Sequence, residues 1–261
     1  MVVLSNRSNG VDRIGQHLLD PRNPVSIAGI STGFHVLPIT VAALLLLGVI
    51  VSWRRTGATW TRTALVATAT LVGLVIWLGG TYAAADLGTL RFTGAPPTMM
   101  LLLALMTALA IGLGVSAVGR RLATGLPLWV LVASQSFRLP LELLMHEAYE
   151  SGLMPVEMSY SGLNFDIVTG ASALVVAMLL LTRRAGVRLV RWWNVLGTVL
   201  LCNIVIVALL SAPTPLRVFT SRPANTWVTA PPFVWLPAML VAFAILGHIV
   251  IYRASRINAS V

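Results

Sequence analysis

Apolar residues run in long, nearly unbroken stretches along this chain, and the polar residues gather between them. Seven segments approach the roughly 20 mostly apolar residues that a helix needs to cross a bilayer. They are 36–53, 63–83, 97–118, 126–147, 165–181, 193–210 and 233–252. Helices apolar on all sides pack against lipid and one another, so the pattern predicts an all-α, polytopic membrane protein of seven transmembrane helices occupying 36–261. Residues 1–35 are more polar. Val11, Ile14, Leu18 and Leu19 have near-helical spacing before Pro21 and Pro24 interrupt it. This part therefore reads as an interfacial helix or an extracytoplasmic tail. It lacks the apolar run of a signal peptide, and no cleavage is expected.

Composition agrees: 57% of the 261 residues are hydrophobic and 10% charged, with a mean hydropathy of +0.87. A net charge of +10 would ordinarily suggest nucleic acid. The arginines, however, stand singly or in pairs at the ends of apolar segments, so no nucleic-acid partner is expected and the bilayer is. All 18 basic residues are arginine, which excludes a lysine Schiff base and a lysine-bearing phosphate loop. The single cysteine, Cys202, cannot form an intrachain disulfide and reads as a packing residue within the sixth span.

Arginine asymmetry predicts orientation. Eleven arginines, among them Arg54, Arg55, Arg120, Arg121, Arg183, Arg184 and Arg253, fall in one set of loops, and six fall in the other. With the richer side cytoplasmic, the N-terminus lies outside and the C-terminus inside a plasma (inner) membrane. All eight acids then fall on the outer side or in the outer half of a span, five of them between Glu142 and Asp166.

An internal repeat is also suggested. Arg54-Arg55-Thr56-Gly57 closes the first span and Arg183-Arg184-Ala185-Gly186 the fifth. Ala95-Pro96-Pro97 and Ala230-Pro231-Pro232 open later spans, with Gly112 and Gly247 at one offset. Residues 36–118 and 165–252 would then be two three-helix repeats joined by a linker helix, 126–147. This 3+1+3 order resembles the layout of SWEET-type sugar carriers, a likeness of topology that brings no substrate residue with it. The stretch from Gln135 through Asn164-Phe165-Asp166, with Ser211-Ala212-Pro213 and Gly247-His248, resembles a family of uncharacterised bacterial multi-pass membrane proteins of unknown activity.

Candidate chemistry concentrates in the fourth span. Gln135, Arg138, Glu142, His146 and Tyr149 fall within about an 80° arc at the helical period, giving one polar face from mid-membrane outward. Ionisable groups at that depth are functional candidates and should face the bundle interior or water. Arg138 and Glu142, four apart, are placed to pair. Pro140 lacks an N–H for the Ser136 carbonyl, so a kink is expected there. Asn164 and Asp166 open the next span, where they either cap it or complete a pocket.

The leading expectation is an outward-facing polar pocket for binding or transport of a small polar solute, with proton coupling through Glu142 and no cofactor. The alternative is a membrane-embedded zinc hydrolase. In it His146-Glu147-Ala148-Tyr149-Glu150 modifies the HExxH pattern, His35, His146 and Glu150 bind the metal, and Glu147 acts as base. His248 lies on the order of 20 Å away in depth, so it cannot join that metal and should hydrogen-bond within the bundle. A non-catalytic sensor or assembly partner is a third reading. Neither oligomeric state nor solute is legible.

Overall fold

The computed structural model describes residues 27–257, so the expectation for Val11 to Leu19 lies outside the described residues. Helix is the regular structure throughout: α1 Ile27–Arg55, α2 Trp60–Asp86, α3 Thr98–Val115, α4 Ala117–Gly125, α5 Leu128–Ala133, α6 Arg138–Glu150, α7 Ile167–Leu181, α8 Val187–Ser211 and α9 Ala242–Ile257. Six helical segments are long and apolar enough to cross a membrane: α1, α2, α3, α5 with α6 (Leu128–Glu150), α8, and Leu236–Ile257. α7 is apolar but shorter. Exposed Leu65, Val75, Ile76, Val175, Val199 and Ile206 place apolar side chains on the outside of the bundle, as contact with a bilayer requires.

Local sequence accounts for the breaks. Ser116 ends α3 and caps α4, its hydroxyl accepting from the Val118 N–H at 3.0 Å, so the expected third span 97–118 stops at Val115 and the chain turns. A 3₁₀ segment over Ser134–Phe137 separates α5 from α6, directly before Pro140, where the missing N–H forbids an unbroken ladder. The last span opens with a π-helical stretch, Leu236–Val241, that includes Pro237. The Ala238 carbonyl accepts from Trp77 Nε1 at 2.8 Å, and Trp235 Nε1 donates to the Leu78 carbonyl at 3.0 Å. These two indoles add to the packing of α2 on α1; α2 is otherwise peripheral, with 6% of its most apolar stretch buried, against 61% for Leu236–Ile257.

α9 is thus the centre, packed by α3, α4, α5 and α8. α1 packs on α2, α4 and α6, and α7 on α5 and α6. One end of the bundle gathers arginines. Arg253 donates to the Gly114 and Ser116 carbonyls, Arg191 to the Ser255 carbonyl, and Arg121 stacks over Trp53. At the other end Ser221 donates to Glu157 and Asn225 holds the Ser211 and Ala208 carbonyls, so the segments after α6 and α8 lie together.

Several expected details differ. α1 begins nine residues before position 36, so His35 lies two turns inside a helix. The tryptophans divide: Trp60 and Trp192 are exposed, whereas Trp53, Trp193, Trp227 and Trp235 are buried in the core. Cys202 is exposed on α8 rather than packed. Gly112 and Gly247 share an offset but not surroundings: an added Cβ would meet nothing at Gly112 and would strike the Gln135 amide at Gly247.

Candidate functional site

The polar face of the fourth span points inward. Gln135, Arg138 and Glu142 are buried, as are Asn164 and Asp166 at the entrance to α7. α7 approaches α6 backbone to backbone at Gly170, where an added Cβ would clash with the Leu139 nitrogen and stand 2.9 Å from the Arg138 carbonyl carbon. That close packing sets Asp166 beside Arg138. Asp166 holds the N-cap position of α7 but makes no side-chain capping bond, so its carboxylate is free to accept from Arg138 Nη1 at 2.8 Å. Arg138 accordingly pairs with Asp166, 28 residues on, and not with Glu142 one turn away. Helical spacing alone favoured the nearer carboxylate; the fold supplies a better-placed one.

Asn164 takes Glu142 instead. Its Nδ2 donates to Glu142 Oε2 at 2.6 Å and to the Met158 carbonyl at 3.0 Å. Its Oδ1 accepts from the Asp166 N–H at 3.0 Å, so one amide fixes the Asp166 backbone and the Glu142 carboxyl together. Among the described residues no hydrogen bond takes up the second Glu142 oxygen.

His146 lies one turn beyond Glu142, its Nδ1 3.0 Å from Ser159 Oγ and 3.3 Å from Ser161 Oγ. Its ring stacks on Tyr160 at 4.2 Å and lies near Tyr149. Tyr149 is half-buried and Glu150 exposed. His35 has a different setting. Its Nδ1 is 2.8 Å from the Ser31 carbonyl, and its ring lies against Trp235 and Tyr82. The contacts of His35 and His146 share no residue, and no group of three or more metal-ligating side chains converges among the described residues.

A cavity of about 550 Å³ lies beside this cluster, within the general range for small-molecule sites. α3, α6, α8 and the π-helical stretch supply its walls. Arg138, Glu142 and Asp166 line it together with Phe92, Phe137 and five methionines, including Met99, Met145 and Met158. The remaining lining is almost wholly apolar, with Thr107 and Asn225 the other polar side chains.

Below the cluster lies a second polar group. His248 Nδ1 donates to Asn194 Oδ1 at 2.8 Å, and Asn194 Nδ2 to the His248 carbonyl at 3.1 Å. The expected intrabundle role of His248 is therefore observed. Arg138 is within its electrostatic reach, and Gly197 makes room for its ring, since an added Cβ would stand 2.7 Å from Cε1. Among the described residues, both amide atoms of Gln135, Nε and Nη2 of Arg138 and Nε2 of His248 are buried without a hydrogen-bond partner, a rare condition for polar atoms. Asn194 and Gly197 went unnoticed in the sequence. A polar residue and a glycine three apart on α8, opposite Gly247-His248, were the available signal.

In comparison with known proteins, no family model matches the chain, and neither does any curated protein or solved structure. The likenesses to SWEET-type carriers and to the uncharacterised bacterial family draw no support from these comparisons. Among the described residues, the fold and site define a multi-pass, all-helical membrane protein with an ion pair buried inside its helix bundle.

Proposed function

We propose that this chain is a solute carrier of a bacterial-type plasma (inner) membrane, with its arginine-rich end in the cytoplasm and Glu142 exchanging a proton as solute binds. The single observation that carries the reading is a cavity of about 550 Å³ that Glu142 lines while hydrogen-bonded to an amide and not to a cation. Protonating Asp166 would sacrifice its ion pair with Arg138. Protonating Glu142 breaks no ion pair, so Glu142 is the exchangeable carboxyl. The mostly apolar walls favour a solute with an apolar body and one polar end over a fully polar one.

α7 serves as the seventh span in this reading. Its 15 residues cover only about 22 Å at 1.5 Å per residue, short of a hydrocarbon core of roughly 30 Å. The irregular segment carrying Ser159, Asn164 and Asp166 makes up the difference at membrane depth. Non-helical backbone is tolerated there where protein buries it, and all three residues are buried.

Thiol accessibility tests the reading. In a Cys202→Ser background, Ala208→Cys on the cavity wall should react with a small neutral methanethiosulfonate in membranes, read by mass spectrometry. Val199→Cys, on an exposed apolar face of the same helix, should stay unmodified. An unreactive Ala208→Cys means that the cavity admits no aqueous solute, and the carrier reading falls.

A further inference from the structure

The wall of the cavity carries one guanidinium and two carboxylates. The guanidinium is committed to Asp166, and its free groups, Nε and Nη2, have no accessible surface, so they cannot meet a ligand. What the cavity presents at its polar end is acceptor oxygen, backed by one more negative charge than positive when Glu142 is ionised. An anion entering there would face carboxylates without a donor and would leave charge uncompensated in an apolar surrounding, which is strongly unfavourable. A sugar or other polyhydroxylated solute would need many hydrogen-bond partners, and beyond the ionic cluster the polar side chains of the wall among the described residues are Thr107 and Asn225. One Asn225 group is already spent, its Nδ2 donating to the Ala208 carbonyl.

Resting on the carrier reading above, we propose that the cavity binds lipophilic organic cations, with Glu142 as the counter-charge and the apolar wall as the receptor for the organic body. The lining suits this class in two further ways. Phe92 and Phe137 stand in the wall, and the face of an aromatic ring attracts a cation at low dielectric. The five methionines are polarizable and unbranched, so they adapt to irregular shapes, and methionine-rich surfaces accept varied ligands. The proton and the cation compete for Glu142. The charged groups facing that carboxyl are Arg138 on its own helix and Asp166 on α7, with Asn164 bonded to it directly and His248 on α9 beyond Arg138. The Arg138–Asp166 pair keeps its charge balance whichever occupant is present, so binding strengthens as pH rises and Glu142 loses its proton.

Two ions of the same size and apolar surface but opposite charge make the test. Tetraphenylphosphonium and tetraphenylborate are titrated separately, by calorimetry, into the purified full-length protein in detergent, with neutral triphenylphosphine oxide as a third probe. The phosphonium should bind about tenfold or more tightly than the borate, and Glu142→Gln should weaken the phosphonium by a similar factor while leaving triphenylphosphine oxide unchanged. Preference for the borate, or a phosphonium affinity indifferent to Glu142→Gln in protein of unaltered melting temperature, overturns the proposal. The wild-type comparison of the two ions decides the matter even where the variant fails to fold. Binding of the neutral probe alone overturns the cation assignment while the carrier reading stands. An unreactive Ala208→Cys would instead remove the cavity reading itself.

Discussion

A guanidinium buried inside an apolar helix bundle has to be paired, and Arg138 is paired across 28 residues with Asp166. Removing one partner of a buried pair leaves an uncompensated charge, a loss of about 3–5 kcal/mol, whereas replacing both with apolar residues is often near neutral. Arg138→Met alone should therefore lower the melting temperature sharply, and Arg138→Met with Asp166→Leu should recover most of it. Failure of the double variant to recover would mean that the pair is not a closed unit. Gln135 makes the opposite case. Its amide is fully buried with neither atom bonded among the described residues, and a buried polar group without a partner costs about 1–3 kcal/mol. Gln135→Met should hold or raise the melting temperature, so an amide retained against stability would be retained for function. A fall of several degrees would show that the amide has a structural partner.

At the scale of elements, the site depends on α7 lying against α6 at Gly170. Overpacking generally costs about 1–3 kcal/mol, and Gly170→Ala should fall in that range because the obstacle is backbone. It should also separate Asp166 from Arg138. Gly73→Ala on α2, where an added Cβ meets nothing, should instead stabilise by up to about 1 kcal/mol through helix propensity. Thermal unfolding of the two variants side by side checks both; equal effects would contradict the packing.

The apolar spans were legible because their signal is local: twenty residues in a row either tolerate lipid or do not. The interruption before Pro140 was legible for the same reason, since a missing N–H acts on the residue four positions back. The partner of Arg138 was not. Glu142 is close in sequence and Asp166 is close only once α7 folds back, so a reading along one helix selects the wrong carboxylate. The cavity was hidden too, because its walls are ordinary apolar residues from helices far apart in the chain, and nothing in Met99 or Ala208 taken singly marks them as lining a space. His35 and His146 looked like possible co-ligands by depth alone, and depth does not say that one lies against Trp235 and the other against Tyr160.

For the whole molecule, the gathering of Arg121, Arg191 and Arg253 at one end gives the positive-inside rule a single face to act on. In a Cys202→Ser background, an impermeant maleimide applied to intact cells should label Leu216→Cys, and Arg184→Cys only after permeabilisation. The reverse pattern would invert the orientation and place the segment bearing Asn164 and Asp166 toward the cytoplasm.

The most direct measurement is the infrared spectrum of the Glu142 carboxyl in purified protein as pH is lowered. A C=O band should appear that is missing from Glu142→Gln and, on the proposed role of Glu142 as a carboxyl that exchanges its proton through the cavity, should shift on transfer to D₂O. No Glu142-dependent band at any pH, or one insensitive to D₂O, would mean a permanently ionised or sealed group and would contradict its role as the exchangeable charge.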